Sequence, residues 1–155
     1  MSWKIAGLLI VLVFLAAQLF QPDRNENGNV TAATDISKVY MMPDSIHVLL
    51  QNSCYDCHSN HTRYPWYSGV QPVGWWLAHH IKEGKAELNF SEFGGYSQRR
   101  QKSKLKAIKD ALDDKSMPLS SYTLIHTKAR LSQKDELSIT DWIDKLKDSP
   151  KKNQR

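Results

Sequence analysis

"QNSCYDCHSN", residues 51–60, carries the only two cysteines of a 155-residue chain, three positions apart and followed at once by a histidine. On one helical turn positions i, i+3 and i+4 share a face, so Cys54, Cys57 and His58 point the same way. Three chemistries use such a trio. The first is a bare disulfide or a thioredoxin-like redox pair, but the redox pair needs a strand feeding a helix, and no stretch of this chain alternates apolar and polar residues long enough to read as a strand. A structural zinc site would add His61, yet such sites draw ligand pairs from separate segments, and there is no second cysteine pair. The third chemistry is covalent haem attachment, whose signature is Cys-x-x-Cys-His: two thiols reach two vinyl groups and the histidine meets the iron. The spacing predicts one covalently attached haem c, held by Cys54 and Cys57, with His58 as an axial ligand.

The surrounding pattern is helical. Asp44 or Ser45 is placed to cap a helix through "SIHVLLQNSC", in which Ile46, Leu49, Leu50 and Ser53 share one face. "VGWWLAHHIKEG" closes on Gly84, which reads as a helix stop. "QRRQKSKLKAIKDALDD" repeats apolar residues at Leu105, Ile108 and Leu112, and Ser132 with Asp135 resembles a capping box opening "QKDELSITDWIDKLK". The expectation is one all-α, cytochrome c-like domain over residues 39–148, without internal repeats. Its aliphatic residues are few and its aromatics many, among them Trp66, Tyr67, Trp75, Trp76, Tyr96, Tyr122 and Trp142. Most of these read as packing residues of a core that a haem would fill.

Toward the amino terminus, "IAGLLIVLVFLAAQLF" (residues 5–20) is apolar except for Gly7 and Gln18. It is a little shorter than the roughly 20 residues of a spanning helix and longer than a minimal signal core. Leu15-Ala16-Ala17 is its only passable cleavage site. Trp3 suits a membrane interface, so residues 1–21 read as an uncleaved single-pass anchor in a bacterial inner membrane rather than a removed signal. Lys4 would stay in the cytoplasm and the haem domain would face the periplasm. "PDRNENGNVTAATDISK", residues 22–38, has linker composition and reads as a flexible tether, and residues 149–155 read as a disordered tail. The formal charge is +5, with a pI near 9.2. Its lysines alternate with acids and no nucleic-acid-reading motif accompanies them, so a nucleic-acid partner is not expected.

A haem iron held by His58 has a second axial position. Met117, in "DDKSMPLSSY", lies downstream of the attachment site and precedes a proline, and this loop resembles the methionine-ligand loop of small class I cytochromes c. Thioether ligation raises the iron's potential and suits electron transfer. His80 and His126 are the histidine alternatives, as axial ligands or as partners of a haem propionate. Met41 and Met42 precede the attachment helix too closely to serve without wrapping the chain around the haem. His47, His61 and His79 read as surface or locally bonded residues.

"CYDCHSNHTRYPWYSGVQPVGWWLAHHIKEGKAELNFSEF", then "MPLSSYTLIHTKARLS" and a final "DWI", resembles a small bacterial haem-binding domain family. Its marks are a Cys-x-x-Cys-His-Ser signature, a "PWY" stretch, an "LNFSE" stretch and a Met-Pro before a later Tyr and His. The resemblance covers nearly everything from Val39 to Ile143. It implies a periplasm-facing monohaem c-type domain, with Cys54, Cys57 and His58 at the haem and Met117 as sixth ligand. The reading is therefore a membrane-anchored electron carrier serving unidentified redox protein partners. The competing reading is a five-coordinate haem sensor or peroxidase-like enzyme, in which the sixth position stays open.

Overall fold

Helix-forming stretches broken by prolines, glycines and caps give eight α-helices and no strand among the described residues, 2–26 and 33–148 of a computed structural model. They are α1 (Trp3–Ala17), α2 (Ile36–Val39), α3 (Asp44–Ser53), α4 (Tyr55–His58), α5 (Val73–Glu87), α6 (Gln98–Asp113), α7 (Ser120–Ile125) and α8 (Gln133–Asp148), with 3-10 turns at Trp66–Gly69, Phe90–Gly95 and Thr127–Ala129. The expected disordered tail at 149–155 and the middle of the expected tether lie outside the described residues.

The apolar periods read in the sequence set the inward faces of α3 and α6. Ile46 and Leu50 of α3 and Leu105 and Leu112 of α6, joined by Ile139, Trp142 and Ile143 of α8, close around Phe90 and Phe93, with Leu49 and Ile108 at the margin. Burying a side chain the size of Phe90 contributes about 1.5–3 kcal/mol. The capping box forms as expected. The Ser132 backbone N–H donates to Asp135 Oδ2 at 2.9 Å, and the Asp135 N–H donates back to Ser132 Oγ at 3.2 Å.

Several expectations are corrected. Pro43 takes the N-cap position of α3, and neither Asp44 nor Ser45 caps it. Asp44 instead stands in the first turn, where its charge complements the positive end of the helix. α5 does not stop at Gly84 but runs on to Glu87. A glycine inside a helix costs only about 0.5–1 kcal/mol relative to alanine, and this one permits a close approach. A Cβ built on Gly84 would stand 2.7 Å from the carbonyl oxygen of Cys57.

The reading of the aromatics is corrected at three positions, while Tyr96 packs against the core as expected. Trp142 is buried, whereas Trp66, Trp75 and Trp76 are exposed. The inward face of α5 is Gly74, Leu77, Ile81 and Gly84, which turns the two adjacent tryptophans outward.

The stretch read as a tether is fastened where it is described. Asp35 and Ile36 are core residues. The Asp35 carboxylate accepts from Ser37 N–H at 2.9 Å and from the Tyr55 hydroxyl at 3.0 Å, which joins the start of α2 to the residue after Cys54. Asn25 Nδ2 donates to Ser59 O and to Thr62 Oγ1, both at 2.9 Å. α1 has 15 residues, none of them buried, and is about 22 Å long. No helix among the described residues is long and apolar enough to cross a membrane, so the expected spanning helix is not supported at that length. Gln18 caps the carboxyl end of α1 in the right-handed helical conformation, and its side-chain Oε1 accepts from the Gln71 N–H at 2.9 Å.

Candidate functional site

Cys54 ends α3 with φ −129° and ψ −40°, neither helical nor extended, and then starts α4. Its carbonyl accepts from Cys57 N–H at 3.2 Å and from His58 N–H at 2.9 Å, so the trio occupies a single helical turn. Gly84 lets α5 lie against the backbone of that turn. The chain leaving α5 then places the Leu88 carbonyl 3.1 Å from His58 Nδ1. A carbonyl only accepts, so Nδ1 carries the hydrogen and Nε2 carries the free lone pair. Burial lowers the pKa of His58, and the ring is held neutral. Phe90 stacks on Tyr55 with 4.9 Å between centroids and meets the His58 ring edge-on at 6.3 Å. The imidazole is therefore fixed both by a hydrogen bond and by packing.

The turn opens onto a cavity of two lobes, about 190 and 210 Å³, which share Ser53, Cys54, His58, Glu87, Met117 and Pro118. The first lobe is walled by Leu88, Phe90, Ala107, Ile108, Ala111 and Leu112, with the ammonium of Lys104 as its only cation. Lys104 pairs with Glu87 at 3.4 Å. The second lobe adds Cys57, His80, Glu83, Gly84, Leu119 and Tyr122. In these surroundings burial pushes the Cys54 thiol up to about 12 and the Cys57 thiol up to about 11, so both are neutral sulfhydryls. Neither is in a disulfide.

Met117 reaches the cavity because of how α6 ends. Lys115 adopts the left-handed conformation at φ 55°. Its N–H bonds Leu112 O at 3.2 Å and the next N–H, of Ser116, bonds Ala111 O at 3.0 Å. This is a Schellman cap, and it reverses the chain so that Met117 and Pro118 return over the cavity. The Met117–Pro118 peptide bond is cis.

Of the alternatives read from the sequence, His80 lines the second lobe, with Nδ1 2.9 Å from Trp76 O. His126 lies outside both lobes, stacked on Tyr122 at 4.2 Å with Nε2 2.5 Å from the Tyr67 hydroxyl. Met41 is exposed and Met42 packs on the core. His47 meets Tyr55 edge-on, His61 sits 3.4 Å from Glu26 O, and His79 contacts His80. His61 does not converge with the cysteines and His58, and the described residues contain no cluster of three metal-binding side chains. That geometry speaks against the zinc reading.

Sequence reasoning missed a bracing network. Asp56, between the two cysteines, accepts from Arg63 Nε at 3.0 Å and from the Tyr122 hydroxyl at 2.7 Å. It thereby ties the turn Cys54–His58 to the helix that follows the Met117 loop. The proximity of Asp56 and Arg63 in sequence was the only available signal, and it does not specify a partner as distant as Tyr122.

The residues fit a haem. They offer a neutral imidazole with a free Nε2, a thioether on the same cavity, two neutral thiols on one turn, apolar walls and one cation. A family model described as a haem-binding domain matches residues 12–145. No curated protein and no solved structure matches the chain.

Proposed function

The chain belongs to the haem-binding domain family, and on that footing we propose that it is a monohaem c-type cytochrome, cytochrome c-like in arrangement, that passes single electrons between protein partners. The observation that carries the reading is that His58 and Met117, far apart in sequence, line both lobes of one apolar cavity beside Cys54 and Cys57. Each thiol would add across one vinyl group, sulfur bonding one carbon and the hydrogen passing to its neighbour, with no oxidant required. His58 Nε2 and the Met117 sulfur would hold the iron, and the Leu88 carbonyl keeps the imidazole oriented and basic. The bound group supplies a one-electron ferric/ferrous couple, whose potential a methionine ligand raises. The apolar walls exclude water, and Lys104 is placed to meet a propionate.

The anchor reading is supported by α1, which is apolar and buries none of its side chains in the domain. With covalent haem attachment as an extracytoplasmic chemistry, it supports a position on the periplasmic side of a bacterial inner membrane.

The optical spectrum tests the ligand set. Wild-type ferric protein should show the weak deep-red sulfur-to-iron charge-transfer band. Met117→Ala should remove it, lower the potential and open the iron to carbon monoxide. A second reading has its own observation, the place of His80 on the second lobe. A wild-type spectrum without the band, with high-spin iron appearing in His80→Ala, would establish bis-histidine ligation. High-spin wild-type iron that binds carbon monoxide at once would favour the sensor or enzyme.

A further inference from the structure

α1 joins the domain without slack. Gln71 N–H donates to Gln18 Oε1 at 2.9 Å, Gln71 Nε2 to Gln21 Oε1 at 2.9 Å, Gln21 Nε2 to Gly69 O at 3.1 Å, and Trp75 Nε1 to Phe20 O at 2.6 Å. These bonds fasten the carboxyl end of α1 to the 3-10 turn Trp66–Gly69 and the first turn of α5. The same corner exposes Trp66 at 86%, Trp75 at 40% and Trp76 at 46%, beside Val70 and Val73. Every exposed tryptophan or phenylalanine among the described residues lies either at this corner or in α1 and the residues just after it.

Tryptophan concentrates where hydrocarbon meets water, because its ring is apolar and its N–H is not. An apolar helix of about 22 Å is shorter than a hydrocarbon core of about 30 Å, and a short span draws its flanking surface down to the lipid. With the end of α1 hydrogen-bonded to the domain, the surface drawn down is this corner. Further along α5, Lys82 and Lys85 border a recess with Asp23 and with Arg24, whose guanidinium pairs with Glu26 at 3.2 Å, so the two lysines are the groups placed to meet headgroup phosphates.

We infer that the corner formed by Trp66, Trp75 and Trp76 is a docking surface for the interfacial layer of a phospholipid bilayer, which fixes the orientation of the haem domain on the membrane. The inference rests on the anchor reading of α1. Gly84, which abuts the attachment turn, lies nine residues beyond Trp75, about 14 Å along α5, so docking would set the height of the haem above the lipid.

The test uses the haem-loaded full chain in phosphatidylethanolamine/phosphatidylglycerol vesicles that contain a phospholipid with a diazirine near the headgroup end of its acyl chain. After irradiation, trypsin releases residues 5–24 and 64–82 as separate peptides for mass spectrometry. Label on both peptides is the expected result. It should fall several-fold on 64–82, and not on 5–24, when Trp66→Ser and Trp76→Ser are combined, since both side chains are exposed and neither fills the core. Label on 5–24 alone would overturn the docking surface and leave the anchor standing. Label on neither would overturn the anchor and the docking surface with it, and undiminished label in the double variant would remove the tryptophans from the account.

Discussion

Replacing Gly84 by alanine should destabilise the domain, against the ordinary rule for helices. In a helix interior alanine is preferred over glycine by about 0.8–1.0 kcal/mol, so an uncrowded Gly84 would be improved by the change. Here the new methyl would stand 2.7 Å from Cys57 O and 3.3 Å from the carbonyl carbon. Both are backbone atoms of Cys57 and cannot rotate aside. Overpacking of this kind costs about 1–3 kcal/mol, and backbone as the obstacle favours the upper half of that range. Set against the propensity gain, the net loss is about 1–2 kcal/mol, or roughly 4–8 °C in midpoint for a domain of this size. The assay is urea unfolding of the haem-loaded chain in detergent, followed by far-ultraviolet circular dichroism, with Gly95→Ala as control. A Cβ at Gly95 meets nothing within 4 Å, and that variant should stay within about 0.5 kcal/mol of wild type. Because relief requires α5 to move away from α4, the His58–Leu88 bond should loosen and the haem spectrum should change along with stability. A Gly84→Ala protein as stable as wild type, with an unaltered spectrum, would refute the close-packing argument.

Tyr122→Phe should cost about 1–2 kcal/mol, since it removes a 2.7 Å donor from the Asp56 carboxylate while Arg63 remains; an unchanged urea midpoint would dismiss the brace. Hydrogen bonds from Ser132 hold the Asp135 carboxyl below its ordinary value of 3.8. The folded-state pKa is depressed, so the capping box contributes fully above the unfolded value and loses its contribution as pH falls through the folded one. Asp135→Asn should therefore be less stable than wild type by about 0.5–1 kcal/mol near neutrality, with the gap closing on acidification in parallel melts. A gap independent of pH would separate the cap from the charge.

The Cys-x-x-Cys-His turn and two of the helical faces were legible because each is written locally. Cys54, Cys57 and His58 lie within five residues, and Leu105, Ile108 and Leu112 repeat within two helical turns. Gly84 was misread because sequence records that a side chain is missing without recording what presses on the gap, and the Cys57 carbonyl is 27 positions away. The outward turn of Trp75 and Trp76 was hidden for a related reason: tryptophan fits a core or an interface equally well, and only the inward set Gly74, Leu77, Ile81 and Gly84 decides between them. The fastening of residues 18–25 was illegible because glutamine and asparagine are typical of linkers, yet here their amides close onto Gln71, Gly69 and Ser59.

Burial of the two thiols bears on timing. Burial pushes the Cys54 thiol up to about 12 and the Cys57 thiol up to about 11, which depletes the thiolate at both positions. The thiolate is the reactive species, both toward an oxidant that would join the two sulfurs and toward an electrophilic carbon. In the unfolded chain burial no longer raises either thiol, and on the proposed reading oxidation would compete with haem attachment for them. Folding slows both reactions together: a domain that folds empty keeps its sulfhydryls reduced but makes them poor nucleophiles. On the cytochrome reading proposed above, attachment would therefore belong to the interval before the core closes, and a domain folded empty would take up its haem slowly.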